Sequence, residues 1–154
     1  MICEVCVDSV PAALAAERGG ADRIELCDAL DRDGLTPAMS LLHDVQAETS
    51  LPIMAMLRPR DGDFCYRPDE FDRIVRAADT FAAAGVAGFA VGALTPAGSI
   101  HLESLALLRQ RFSDLELTFH RAFDLVPSAL AALDQLITLG VDRILTSGGA
   151  KTAD

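Results

Sequence analysis

Basic residues are scarce in this sequence. Of 154 residues, 13 are lysine or arginine and 23 are aspartate or glutamate, so the formal net charge at pH 7 is -10. A field of this sign repels nucleic acid and anionic lipid, although a single cleft can still be locally positive. We therefore expect no nucleic-acid partner and no attachment to a membrane surface.

Neither a membrane-spanning run nor a secretory leader is indicated. The longest apolar run, residues 81–94, is broken by glycines and is shorter than the ~20 residues of a spanning helix. The N-terminal stretch MICEVCVD has no basic region followed by an apolar stretch and a cleavage site. We expect a cytoplasmic protein that does not enter the membrane.

Cysteine is too rare here for a disulfide scaffold. The four cysteines are Cys3, Cys6, Cys27 and Cys65, and a reducing compartment would keep them as thiols. They are therefore either small core residues or ligands for a soft metal ion. Hydrophobic residues make up 51% of the chain and charged residues 23%, which favours one domain with a substantial core.

Three similar segments indicate how the chain folds. In ERGGADRIEL (17–26), AAAGVAGFAV (82–91) and TLGVDRILT (138–146), a helical run ends at glycine and a short strand-like run follows. Glycine suits the left-handed residue that ends a helix, and an apolar run is typical of a strand covered on both faces. The segments predict helix-to-parallel-strand joints. The predicted strands are 2–7, 23–27, 52–58, 86–92, 115–120 and 143–146, and the predicted helices are 9–18, 36–48, 68–84, 102–111 and 127–139.

The strict alternation of strand and helix predicts a parallel sheet with right-handed crossovers, either doubly wound or closed as a barrel. No glycine-rich phosphate fingerprint follows the first strand, where VDSVPA stands, which argues against a dinucleotide fold. An eight-unit barrel takes ~250 residues, whereas this chain ends after its sixth predicted strand. We expect an α/β, TIM-barrel-like fold, incomplete with about six of eight βα units, as one C-terminally truncated domain over 1–154.

Polar side chains are concentrated on one face and at one end of the predicted strands. Because alternate residues share a face, Glu4 and Cys6 face inward on the first strand, as do Arg23, Glu25 and Cys27 on the second. The mouth at the carboxyl ends of the strands carries the chemistry in such barrels. The candidate residues at that mouth are Arg58, Arg60, Asp63, His120, Arg121 and Asp124.

Two interpretations of these charges remain open. Buried charges are costly unless they are paired, so Arg23 and Glu25 form an internal salt-bridge layer or serve a ligand. His120 together with Arg58 and Arg60 favours a binding or catalytic site.

The cysteines differ in what they can bind. Cys3 and Cys6 are three residues apart on a strand and point to opposite faces, so they cannot readily hold one ion. Cys6 and Cys27 share the inward face of adjacent strands ~5 Å apart, within reach of a two-coordinate Cu(I) site. Met54 and Met56 could add thioether sulfur or simply fill the interior.

Four motifs resemble the CutC copper homeostasis family in order and approximate spacing. They are GGADRIELC with GLTP (19–37), RPRDGDFCY (58–66), TFHRAFD (118–124) and LTSGG (145–149). The resemblance covers nearly the whole chain and implies a TIM barrel, a cytoplasmic location and copper handling. It implies a copper site at Cys6 and Cys27 and a polar mouth of Glu4, Arg23, Glu25, Arg58, Arg60, Asp63, His120, Arg121 and Asp124.

The sequence departs from the family pattern in two places. Asp61 stands where relatives often have a second glycine, and the C-terminal third that supplies the last two βα units is absent. The second departure bears on how much of the family's site this chain holds.

Three functional hypotheses follow. The first is a cytoplasmic copper homeostasis protein that binds Cu(I). The second is a lyase- or isomerase-like enzyme on a small anionic metabolite, in which Arg58 and Arg60 hold a carboxylate or phosphate. In that enzyme His120 moves a proton near neutral pH, and Glu4 or Glu25 orients it or acts as the complementary acid or base. The third is a homo-oligomer that pairs through open edge strands.

Overall fold

The computed structural model describes residues 1–150, so the last four residues of the predicted domain lie outside this part. Strands and helices alternate from the first element to the last. In chain order they are β1 (Glu4–Val7), α1 (Val10–Arg18), β2 (Arg23–Leu26), α2 (Met39–Glu48), β3 (Ile53–Leu57), α3 (Pro68–Ala83), β4 (Gly88–Val91), α4 (Leu102–Arg111), β5 (Glu116–Phe119), α5 (Ala129–Thr138) and β6 (Arg143–Ile144). Short 3₁₀ helices follow β2 and β5 at Leu30–Arg32 and Arg121–Leu125.

The six strands form one parallel sheet in which every strand pairs with the next one along the chain. A doubly wound sheet reverses its strand order at a switch point, and this order of β1 to β6 has no reversal. The sheet is therefore an open, six-stranded wall of a barrel. This confirms the predicted TIM-barrel-like fold and its incompleteness.

Alternate side chains of the strands face opposite sides, as the sequence predicts. Ile24, Leu26, Phe89 and Phe119 are fully buried and belong to the main apolar core. Each such side chain contributes roughly 1.5–3 kcal/mol by leaving water. The inner face of the wall holds a small separate apolar cluster of Cys27, Met56 and Ala90 and the buried Met54, and many of its other positions are polar.

Helix α2 begins at Met39 rather than at the predicted residue 36. The backbone N–H of Thr36 donates to the carbonyl of Arg58, and its hydroxyl accepts from the Arg58 N–H at 2.8 Å. These bonds attach Thr36 to the end of β3, so the chain cannot turn into a helix there. The same contact positions Arg58 at the mouth of the barrel.

The inner face of β4 carries only small residues, Gly88, Ala90 and Gly92. A Cβ on Gly88 would lie 2.2 Å from the carbonyl oxygen of Glu116, and one on Gly92 would lie 2.4 Å from Cε1 of His120. Neither glycine can therefore be replaced without moving its neighbour. Because β4 contributes so little side-chain volume, the interior next to it has room for side chains from β3 and β5.

Candidate functional site

A chain of ion pairs closes the floor of the barrel wall. Arg23 pairs with Glu4 through its Nε and with Glu116 through Nη1 at 3.5 Å, and Arg143 pairs with the same Glu116. These four residues are the first ones of β1, β2, β5 and β6. Arg23 and Glu4, predicted as site residues, therefore lie at the amino ends of the strands, away from the mouth, and Arg23 belongs to the salt-bridge layer that we considered as its alternative.

A cavity of about 620 Å³ opens above this floor, at the carboxyl ends of the strands. It brings together seven of the predicted residues and several apolar ones. The predicted residues on its lining are Cys6, Glu25, Cys27, Arg58, His120, Arg121 and Asp124, and the apolar ones include Leu30, Met56, Phe64, Leu125 and Leu145. Glu4, Arg23, Arg60 and Asp63 are not on the lining.

The two inward-facing cysteines line the same cavity but are not directly opposite each other. Cys6 pairs in register with Glu25, so Cys27 lies two residues further along β2, and their Cα atoms are about 8 Å apart rather than the ~5 Å expected for opposed residues. Cys6 is exposed and Cys27 is buried, and both are free thiols. Their side chains must lean along the strands to share one ligand.

Both thiols are protonated in this environment. Burial, followed by the charges of Glu25, Asp8 and Asp28, raises the pKa of Cys27 to about 12. Partial desolvation by the cavity wall and the neighbouring Glu25 raise the pKa of Cys6 well above its usual range, although the residue keeps contact with solvent. The Cys6 thiol donates to Glu25 Oε1 at 3.3 Å, and that of Cys27 donates to the Val7 carbonyl at 3.6 Å.

Glu25 is a buried carboxyl group with one oxygen unpaired. It is 3% exposed, and its Oε2 has no hydrogen-bond partner within residues 1–150. Burial raises the pKa of Glu25, and the negative charge of Glu4 raises it further. The hydrogen bond from Cys6 lowers the pKa but does not cancel this rise. A buried carboxyl group whose pKa is raised in this way is a candidate acid or base.

His120 is buried against the inner face of β4 and is neutral. Its Nδ1 accepts from the Ala122 backbone N–H at 3.2 Å, so a neutral ring carries its proton on Nε2. Burial, together with the positive charge of Arg58, lowers the pKa of His120 to about 3. The expected proton transfer near neutral pH does not fit this pKa, and the ring instead presents a fixed N–H donor whose Nε2 has no partner in the described part of the chain.

Arg58 is held at the mouth by backbone carbonyl groups. Its Nη1 donates to Arg32 at 2.9 Å and to Gly34 at 3.2 Å, and its Nη2 donates to Gly62 at 3.3 Å. The guanidinium carbon lies 5.0 Å from the centre of the Phe64 ring. Arg58 is 5% exposed, and its Nε finds no acceptor within residues 1–150.

Arg60, the second arginine of the same motif, is fully occupied inside its own loop. Its Nε donates to Glu70, its Nη1 to the carbonyls of Asp61 and Asp63, and its Nη2 to the Asp63 carboxylate and the Cys65 carbonyl. All five N–H donors of the guanidinium are thereby used. Arg60 and Asp63 shape the loop between β3 and α3, and they leave Arg58 as the arginine of this motif that faces the cavity.

Asp124 organises the loop after β6. Its carboxylate accepts from the backbone N–H groups of Ser147 at 3.0 Å and Gly149 at 3.0 Å, and from Arg121 at 3.2 Å. Burial alone would raise its pKa, but hydrogen bonds from Thr146, the loop amides and Arg121 outweigh burial and hold the pKa well below the usual range. The glycine-rich loop therefore already binds an anion, the carboxylate of Asp124.

Sequence reasoning missed Phe64, Gly92 and Gly34. The Phe64 ring lies 4.9 Å from the His120 ring, centre to centre, and 5.0 Å from the guanidinium carbon of Arg58, so it packs against both side chains. A Cβ on Gly34, whose φ is +79°, would approach the Cys27 sulfur to 3.3 Å. The available signal for Gly92 and Gly34 was a glycine at or after the end of a strand, in the GFAVG and GLTP stretches, since glycine there indicates close approach of another segment. Phe64 lies in the RPRDGDF stretch and had no such signal.

Two features of a different kind are missing from residues 1–150. Within residues 1–150 no group of three or more histidine, cysteine, aspartate or glutamate side chains is placed to hold a metal ion. Over the same residues, each helix is too short or too polar to span a bilayer.

The model of the CutC family matches residues 1–154. A family protein CutC of Agrobacterium fabrum is 46% identical over 153 residues, 99% of this chain and 61% of that protein. A human copper homeostasis protein cutC homolog is 48% identical over 150 residues, 96% of this chain and 54% of that protein. The chain thus spans less than two thirds of either relative.

Solved structures agree with this family and with the barrel architecture. A CutC protein from Streptococcus agalactiae superimposes with a TM-score of 0.90 at 29% identity, over 98% of this chain and 75% of that one. A phosphoenolpyruvate phosphomutase from Streptomyces platensis subsp. rosaceus shares the fold alone, with a TM-score of 0.68 at 14% identity, over 95% of this chain and 59% of that one. Given the match along its entire length, the chain belongs to the CutC family.

Proposed function

We propose that this protein binds Cu(I) through Cys6 and Cys27 and serves copper homeostasis in the cytoplasm. The observation that supports this function best is the position of two free thiols from adjacent strands on one cavity. The human relative is named a copper homeostasis protein. Reduced cysteines also fit the cytoplasm, where thiols are kept free.

The chemistry of the available donors fits Cu(I) better than other metal ions. Cu(I) favours soft sulfur ligands, and the Met56 thioether packs with Cys27 in the inner cluster. Structural zinc requires four ligands, whereas no group of even three classical ligands exists within residues 1–150. Met54 is less suited to join the site, because its sulfur accepts a hydrogen bond from Arg143 near the floor.

Binding of Cu(I) requires both thiols to release their protons, because the thiolate is the form that binds a metal ion. Asp8 and Asp28 oppose a negative charge on Cys27, so the affinity of Cu(I) for sulfur must exceed this cost. The ion-pair layer of Arg23 and Glu116 closes the floor, so the ion would enter from the mouth.

A Cu(I) competition titration against a coloured chelator tests this proposal. We expect the wild type to bind one Cu(I) per chain, and Cys6→Ser combined with Cys27→Ser to abolish that binding. The matched control replaces the two other cysteines, Cys3 and Cys65, with serine and should bind as the wild type does. Unchanged affinity in the first double variant would refute the proposal.

A second function, an enzyme acting on a small anionic metabolite with lyase- or isomerase-like chemistry, is favoured by a separate observation. Glu25 Oε2, Arg58 Nε and His120 Nε2 are buried, lack partners within residues 1–150, and belong to residues that line the cavity. Glu25 would act as the acid or base, and Arg58 and His120 would hold the anion. Absence of turnover of any small carboxylic acid by the wild type would refute this function.

We also propose that copies of the chain associate. Within residues 1–150, β1 and β6 each pair on one side only, and unpaired edges invite pairing with another strand. Light scattering after size-exclusion chromatography should give a mass above the 16.3 kDa of one chain. A monomer at all protein concentrations would contradict this.

A further inference from the structure

Two buried hydrogen-bond donors on the cavity wall lack an acceptor among residues 1–150. They are the Nε of Arg58, a residue 5% exposed, and the Nε2 of His120, a residue 3% exposed. Buried polar groups in folded proteins are nearly always hydrogen-bonded, so each exception calls for an explanation. Two exceptions on the lining of one cavity indicate an acceptor supplied from outside the chain.

Both donors are held in fixed positions. The terminal nitrogens of Arg58 are bound to three backbone carbonyls, so its Nε cannot turn toward another acceptor. The ring of His120 is fixed by the Ala122 N–H and by close contact with Gly92. Phe64 packs against both side chains, at 5.0 Å from the guanidinium carbon and 4.9 Å from the imidazole centre. Because both side chains are fixed, the direction of each N–H is set before an anion binds, as in an oxyanion site.

We propose that Arg58 Nε and His120 Nε2 form a binding site for a small carboxylate ligand, whose oxygens accept hydrogen bonds from both donors. This inference deepens the second function proposed above by naming its ligand class, and it does not depend on copper.

The charges around the cavity favour a carboxylate over a phosphate. Arg121, the other cationic side chain on the lining, already pairs with Asp124 and Ser147. The loop amides of Ser147 and Gly149, which could otherwise hold phosphate, donate to Asp124. This leaves Arg58 as the cation at the two donors, and because Glu25 and Asp33 also line the cavity, a monoanion is favoured over a more highly charged phosphate.

The body of the ligand is expected to be short and apolar. The cavity lining also includes the apolar residues Leu30, Met56, Leu125 and Leu145. Apolar walls with a few fixed polar groups are typical of sites for small organic molecules. A branched short-chain carboxylate such as 2-methylpropanoate therefore suits the cavity, and it serves as the probe.

The test is an NMR titration of the complete chain, in which the imidazole N–H of His120 is observed directly. We expect 2-methylpropanoate to shift the His120 Nε2–H signal and to saturate with a Kd of about 1 mM or tighter. His120→Asn keeps an acceptor for the Ala122 N–H but removes the Nε2 donor, so backbone amide signals of the cavity should report binding weakened about tenfold or more. Arg58→Lys removes the Nε donor but keeps the charge, and should weaken binding similarly.

Controls separate this site from a general attraction of anions. Arg111→Lys changes an exposed arginine that pairs with Asp79 and should bind the probe as the wild type does. Inorganic phosphate should bind at least about tenfold more weakly than the carboxylate, since the site provides one unpaired cation. Unfolding in urea verifies that each variant is folded.

Each outcome bears on the proposal. No saturable carboxylate binding, equal binding of phosphate, or wild-type affinity in folded His120→Asn would overturn it. Carboxylate binding without any turnover would leave the site in place and refute only the catalytic function. Copper binding is measured separately and its loss would affect neither result.

Discussion

The strongest prediction concerns the stability of the protein between pH 7 and pH 5. Burial and Arg58 lower the pKa of His120 from 6.5 to about 3 in the folded state. Between these two values the unfolded chain binds a proton at His120 that the folded chain does not bind. Stability therefore falls as the pH decreases through 6.5, and continues to fall until the folded pKa is reached.

The magnitude follows from the two pKa values. Integration from pH 7 to pH 5 gives a loss of about 2 kcal/mol in the free energy of unfolding. Because the folded pKa lies well below 5, the loss over this interval depends almost entirely on the value in the unfolded chain. Glu25 acts in the opposite sense, since its pKa is raised in the folded state.

The assay compares urea unfolding of the wild type with that of His120→Asn at several pH values. Glu25 is present in both proteins, so the difference between their slopes isolates His120. We expect the variant to be less stable at pH 7 because it loses ring contacts with Phe64, and its pH dependence should be flatter by about 2 kcal/mol over the interval. Parallel curves would mean that His120 is not a neutral buried ring and would refute the reasoning.

Three further predictions concern the structure around the site. Gly88→Ala places a methyl group 2.2 Å from the carbonyl oxygen of Glu116, and we expect a loss of about 3 kcal/mol in urea unfolding; wild-type stability would contradict the close approach of β4 and β5. Arg60→Lys offers three N–H donors in place of five and should cost about 2 kcal/mol in the same assay, whereas no loss would mean that the loop bonds are not formed. Asp124→Asn should accelerate amide hydrogen exchange of Ser147 roughly tenfold, and unchanged exchange would show that the carboxylate does not hold the loop.

The alternation of elements and of faces was predictable from the sequence because both are local properties. Glycine after a helical run followed by an apolar stretch marked the entry to β2, β4 and β6, and the observed strands lie within the predicted ranges. The two-residue period of a strand likewise separated Ile24 and Leu26, which face the helices, from Glu25, which lines the cavity. Several helix bounds shifted by one to three residues, and the largest shift is at Met39, where a contact with β3 overrides local preference.

The partners of the charged residues were decided by the tertiary structure. Arg58 and Arg60 are equivalent in the RPR motif, yet Arg58 faces the cavity with an Nε that has no acceptor within residues 1–150, whereas Arg60 is saturated by its loop and by Glu70 of α3. Arg23 pairs with Glu116, 93 residues away. Such pairings depend on the curvature that brings β2 opposite β5, which no local pattern encodes. The charge state of His120 depends in the same way on burial by distant segments, because the free energy of an ionised group is set by all of the dielectric and charge around it.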